Sequence, residues 1–185
     1  MQVIYSHRRI GADPGAIHAI PEGRISIYKE QGANGAEAIL EMRENGRLHS
    51  RTPFPWEAGN PLVMAFLEDT LRAMARTTGG SPFYLRNRIK EALRSGGEVA
   101  AVRVAVDGAM LDAQQVRFRP FVKDPNAGRM GGFARLELTF VLSPQVPGGV
   151  IRFSASAPQA QDGPQAQDGP LYRETMEYAS LKPQE

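Results

Sequence analysis

Residues 60–97 read NPLVMAFLEDTLRAMARTTGGSPFYLRNRIKEALRSGG, and the fold turns on how this stretch is read. Asn60 followed by Pro61 is a helix start. The Asn side chain accepts from a first-turn N–H, and proline at the first helical position gives up a donor that has no intrahelical partner anyway. Val63, Phe66, Leu67, Thr70, Leu71 and Met74 then recur at helical spacing, which makes one face of a helix apolar up to the region of Arg76. Thr77-Thr78-Gly79-Gly80 interrupts the pattern. Ser81-Pro82 repeats the cap-and-proline start, and Gly96-Gly97 ends a second helix. Segment 60–96 is therefore expected to be a helical hairpin.

The flanking sequence has a different period. Val3-Ile4-Tyr5 and the run Arg24 to Tyr28 are β-branched and aromatic, separated by breakers at Asp13-Pro14-Gly15 and Pro21-Glu22-Gly23. Ala36 to Glu44 and Arg47 to Arg51 flank Asn45-Gly46, a pair suited to the positive φ angles of a type I′ turn. A tight turn there sets Met42 opposite His49 and Leu40 opposite Arg51. Beyond the helices, Glu98 to Val106 reaches Asp107-Gly108, a second such turn, and Gln115 to Val122 continues as a strand. Leu136 to Leu142 and Val150 to Ala155 flank Pro147-Gly148-Gly149, and Leu171 to Tyr178 alternates as a last strand. Strands, two helices, then strands again predict an α+β fold. Its twisted, largely antiparallel sheet closes toward a half-barrel and curls around the inserted αα-hairpin, all within a single domain of residues 1–185.

Composition supports a packed chain. At 185 residues a domain buries roughly two-thirds of the surface its unfolded chain exposes, so no staple is needed. The absence of cysteine excludes disulfides, thiolate zinc sites and thiol nucleophiles. The N-terminal MQVIYSHRRIGADPG places arginines after a very short apolar run, the reverse of a secretory signal, and no run has the length of a membrane span. A cytoplasmic location is the default expectation, with a periplasmic one for a chain whose leader has been removed. The net charge of +2 is unevenly spread: seven Lys/Arg against nine Asp/Glu in residues 1–71, twelve against five in 72–135, and three against six in 136–185. A basic middle flanked by acidic ends attracts anions if the fold gathers it on one surface.

Catalytic patterns fail on geometry. Ser26-Ile27-Tyr28-Lys29 has the letters of a Ser-x-x-Lys motif but lies in a strand, where the odd offset sends the two side chains to opposite faces. His7, His18 and His49 lack the spacing that puts two metal ligands on one helical face. They read as surface or strand histidines, with His49 the best candidate for a buried role. Glu37 with Glu41 and Glu174 with Glu177 are the closest carboxylate pairs, and the first, beside a turn in a charge-mixed hairpin, reads as solvated. The loops from Gly11 to Gly15 and from Lys123 to Gly132 lack the ending of a phosphate-binding loop. The second still offers backbone amides and Arg129 to an anion. No catalytic residue, metal site or cofactor is expected.

On the second helix Leu85, Ile89, Ala92 and Leu93 share one face, and Arg86, Lys90 and Arg94 form a row beside it, with Phe83 one turn below. Such a row is either a solvated helix face or the rim of an anion site. A sheet wrapped on helices makes a concave apolar interior, which suits an apolar or anionic amphiphile. The expected function is accordingly a non-enzymatic binding or carrier domain. Its expected ligand-binding residues are Trp56, Phe66, Phe83, Arg86, Lys90, Arg94 and Arg129. A nucleic-acid-binding protein using the basic segment is the alternative, although the Pro82-Phe83-Tyr84-Leu85 turn offers no polar group for reading base edges. An enzyme with a spatially assembled site is a further one.

Residues 158–169 are a tandem duplication of Pro-Gln-Ala-Gln-Asp-Gly with nothing larger than alanine to bury. The segment 158–170 is expected to be a surface loop. Deleting one copy should leave the thermal midpoint nearly unchanged, and a fall of several degrees would show that it packs on the body.

Overall fold

A computed structural model describes residues 1–11, 21–33, 35–159 and 170–184. Nine strands, β1 (Gln2–Gly11), β2 (Glu22–Gly32), β3 (Gly35–Glu44), β4 (Arg47–Pro55), β5 (Glu98–Val106), β6 (Ala109–Phe118), β7 (Glu137–Leu142), β8 (Val150–Ala157) and β9 (Tyr172–Lys182), make one open sheet. Its order is β4-β3-β2-β1-β9-β8-β7-β6-β5, with every neighbouring pair antiparallel. The expected α+β architecture is what forms. The duplicated segment falls mostly outside the described residues.

First and last strands pair along the middle of the sheet, from Gln2 opposite Lys182 to Gly11 opposite Tyr172. β4 and β5 therefore become its opposite edges. The chain must cross the sheet to connect them, and it does so as α1 (Pro61–Thr78) and α2 (Pro82–Ser95), which satisfy their own backbone hydrogen bonds while lying on an apolar face. Asn60 Oδ1 accepts from the Leu62 N–H at 2.9 Å, and Gly79 closes α1 with a left-handed φ of 67°. Ser81 does not cap α2 with its side chain; its carbonyl accepts from the Leu85 N–H instead. Gly96 turns with φ 84°, and a Cβ on Gly97 would stand 2.7 Å from the Arg117 carbonyl. The paired glycines thus let α2 feed directly into the edge strand.

The core lies between α1 and the central strands. Phe66, without accessible surface, sits 5.5 Å from the Phe153 ring and 6.0 Å from Phe140, and Phe118 packs against Phe140. Leu62, Leu71 and Met74 continue this face of α1, and Leu85 and Ile89 bring in α2. A smaller cluster of Ala113, Val141, Val146 and Ile151 covers the outer face of β6–β8.

Two expectations on register and length need correction. Asn45 and Gly46 do adopt positive φ, but the ladder shifts after Arg43–Leu48, so Met42 faces Ser50 and Leu40 faces Thr52. His49, read as the best candidate among the histidines for a buried role, becomes the extra residue of a β-bulge and is exposed, and it is His7 that is buried. β6 ends at Phe118 rather than Val122, because Pro120 has no N–H for the ladder.

Phe66→Ala should cost about 3–5 kcal/mol of unfolding free energy, against less than about 1 for the exposed Arg72→Ala on the opposite face of α1. Equal losses in urea titrations would mean that the buried face of α1 is misassigned.

Candidate functional site

Alternation along β9 sends Tyr172, Glu174 and Met176 inward, and Glu177 outward. Across the central pairing, His7 and Arg9 of β1 share the inner face. These residues meet beneath α1, at Asp69 and Thr70. His7 Nε2 lies 2.9 Å from Glu174 Oε1, Arg9 Nη2 lies 3.0 Å from the same oxygen and 3.5 Å from Asp69 Oδ2, and the Tyr172 hydroxyl donates to Glu174 Oε2. His7 and Glu174 are essentially without accessible surface.

Burial opposes ionisation of Glu174, but the hydrogen bond from His7 and the charge of Arg9 outweigh it and hold its carboxyl below the usual value. Asp69 goes the other way. Burial and the neighbouring Glu174 charge push it from 3.8 to about 6 against the pull of Arg9, His7 and Arg72. The contact with the Glu174 carboxylate, an acceptor, is made by an N–H at His7 Nε2.

His7, Asp69 and Glu174 each offer one ligand atom, all within 4.8 Å of one another. Arg9 already supplies the positive charge between the two carboxylates, so the donor set is built as an ion-pair network and does not fit a metal ion. Neither His7 nor Glu174 reaches a cleft surface. The network joins α1 to the β1–β9 seam, with Asp69 more exposed than Arg9 and the other members buried.

A second polar knot holds α2. Asp124, buried, accepts from the Tyr84 hydroxyl at 2.8 and 2.9 Å, from Arg88 Nε at 2.7 Å and from the Asn126 N–H at 2.8 Å. Burial would raise its carboxyl, yet the Asn126 N–H, Tyr84 and Arg88 bonds hold it below the usual value. Arg88 is thus the cation of α2 that anchors the helix, outside the expected Arg86, Lys90 and Arg94 row.

Clefts open on both sides of α1. One of about 340 Å³ is lined by Val3, Tyr5, Ile27, Ala38 and Trp56 near the start of α1. The half-exposed Trp56 ring lies 4.8 Å from Lys29 Nζ. Another, of about 560 Å³, has Leu40, Met42, Phe54, Met64 and Ala65 on its walls, and His49, Glu68, Asp69 and Arg72 among its polar groups. Ala38, Leu40 and Met42 are successive inward residues of β3, so the two clefts follow one strand. A third, of about 250 Å³, runs between the helices with Leu67, Leu71 and Ile89 inside and Arg86 and Lys90 at the lip.

Of the expected binding residues, Trp56, Arg86 and Lys90 line these clefts, and Arg86 is bonded at 3.0 Å to Glu68. Phe66 fills the core. Phe83, Arg94 and Arg129 are exposed and line none of the three. The His7–Arg9–Glu174 network was missed in the sequence, although the alternation of β9 already marks Glu174 as inward.

No family model and no curated relative matches the chain. Among solved structures it is similar to the crystal structure of the Mycobacterium tuberculosis lipoprotein LppX, at 12% identity and a TM-score of 0.40, over 96% of this chain and 84% of that one. No helix among the described residues is long and apolar enough to cross a membrane.

Linkage gives the network a pH signature. Asp69 binds its proton more tightly in the folded chain, so stability should fall as pH rises from about 4 through about 6. Glu174 contributes stability above its unfolded value that is lost as pH drops through its folded one. Asp69→Asn should flatten the decline between about pH 4 and 6, while Glu174→Gln, by uncoupling Arg9, should cost about 3–5 kcal/mol at neutral pH. Urea titrations over a pH series check both. An Asp69→Asn profile that still falls over that window would assign the slope elsewhere.

Proposed function

We propose that the protein is a non-enzymatic binding or carrier domain for an apolar or amphiphilic small molecule, held between the β2–β4 wing of the sheet and α1. The supporting observation is the pair of clefts along β3, whose walls are Val3, Ile27, Leu40, Met42, Phe54, Met64 and Ala65. Clefts of several hundred Å³ are the usual size of a small-molecule site, and the mixed lining of the larger one, with His49, Ser50, Thr52, Glu68, Asp69 and Arg72 beside its apolar wall, suits an amphiphile. Trp56 closes one end as a stacking wall, and Lys29 beside it suits an anionic group. Lys90 at the interhelical lip serves the same chemistry.

Two observations weigh against the other classes. Six of the twelve cations of the central segment are paired with carboxylates: Arg72 and Arg86 on Glu68, Arg88 on Asp124 and Glu91, Arg103 on Asp112, and Arg117 and Arg119 on Glu137 and Glu98. Those pairs reduce the charge available for counterion release on a duplex. Within the network that fastens α1, Glu174 is fully buried and has no access to a substrate, and Asp69 alone of the two perturbed carboxylates borders a cleft.

Ala65→Trp should fill the larger cleft from the α1 side. Titration with a fluorescent fatty acid is expected to show saturable binding to the parent, weakened at least about tenfold in the variant at unchanged thermal midpoint. Equal affinity in parent and variant would move the site elsewhere, and no binding of fatty acid or of an uncharged long-chain probe would overturn the proposal.

A further inference from the structure

The two edges of the sheet are built differently. β4 carries Pro53 and Pro55, which offer no N–H, a bulge at His49, and the charges of Arg47 and Arg51. Each is a device that keeps an edge strand from recruiting another. β5 has neither proline nor bulge. It runs unbroken from Glu98 to Val106 against β6 with no register shift, contains no proline, and between Glu98 and Val106 carries Val99, Ala100, Ala101, Val102, Arg103, Val104 and Ala105. Val99 is 63% exposed, and no described strand pairs with the other side of β5.

The turn fixes which backbone groups face that open side. Asp107 and Gly108 have φ 49° and 80°, the two-residue turn joining Val106 to Ala109. The pair flanking such a turn is hydrogen-bonded, and pairs then alternate along an antiparallel ladder. Val102, Val104 and Val106 thus bond to β6, whereas the N–H and C=O groups of Val99, Ala101, Arg103 and Ala105 point outward.

We propose that β5 pairs antiparallel with β5 of a second copy of the chain, about a two-fold axis through Val102. In this register Val99 faces Ala105 of the second copy and Ala101 faces its Arg103, so each outward residue meets an outward residue and every outward N–H and C=O finds a partner. A shift by two residues in either direction strands some of them. The side chains agree. Val102 meets Val102, Ala100 meets Val104, and no like charges stand opposite. The two charged residues of β5 are already neutralised within the chain, Arg103 by Asp112 at 3.4 Å and Glu98 by Arg119 at 2.9 Å, so the edge presents no net charge to repel its copy. The valines of the outer face would extend the Ala113–Val141–Ile151 cluster as one row across the axis.

Light scattering during gel filtration of the full chain should give twice the monomer mass in the micromolar range. Ala101→Pro removes an outward N–H that β6 does not use, and should give a monomer with unchanged far-ultraviolet circular dichroism. The chain has no cysteine of its own, so Val102→Cys provides an independent readout. Two such residues form a non-hydrogen-bonded pair with Cα atoms about 4.5 Å apart, within reach of a disulfide. Val102→Cys should therefore cross-link on mild oxidation while Val104→Cys, displaced from its symmetry mate along the strands, should not. A parent that stays monomeric, an Ala101→Pro variant that still dimerises, or equal cross-linking of the two cysteine variants would each overturn the pairing.

Discussion

The pairing of β1 with β9 is the constraint on which the rest depends. Joining the first and last strands at the centre of the sheet drives β4 and β5, neighbours in sequence, to opposite edges. The connection between them must then cross the inner face. Extended chain lying there would bury backbone donors and acceptors without partners, whereas two helices carry theirs internally and add an apolar stripe. The helical hairpin is inserted where it is because of the strand order.

The same seam carries the buried charge. Glu174 of β9 and His7 and Arg9 of β1 are adjacent only because the terminal strands pair, and Asp69 reaches them only because α1 lies across that pairing. A hydrophobic seam lets a helix slide along it, while a network of directed bonds fixes one position. Glu174 stays ionised because several donors converge on it; Asp69, with a single longer contact to Arg9, does not share that stabilisation equally. Fixing α1 over the seam leaves the β2–β4 wing only partly covered, and the clefts along β3 are the space that remains.

The proposed ligand binding and the proposed strand pairing draw on different parts of this arrangement. The clefts face α1 on the inner side of one wing, and the open edge of β5 lies at the far end of the sheet, so a second copy paired there leaves the clefts accessible. The prolines of β4 keep the wing beside the clefts from pairing in the same way.

Local sequence determined a good deal of this. Asn60-Pro61, Gly79 and Gly96-Gly97 bounded the helices, Asn45-Gly46 and Asp107-Gly108 placed two turns, and the spacing of Phe66, Leu71 and Met74 marked the buried face of α1. These signals are legible because caps, turns and periodicity act within a few residues. The bulge at His49 was not legible, since a one-residue shift depends on which face its neighbours bury. Nor was the partnership of His7, Arg9, Asp69 and Glu174, which joins residues about 60 to 170 positions apart. Arg86, read as part of a free cationic row, turned out to be held by Glu68, and Arg88 rather than its neighbours met Asp124. Helical spacing states which side chains share a face, but only the packing of that face against other elements decides which charges find partners and which are left for a ligand.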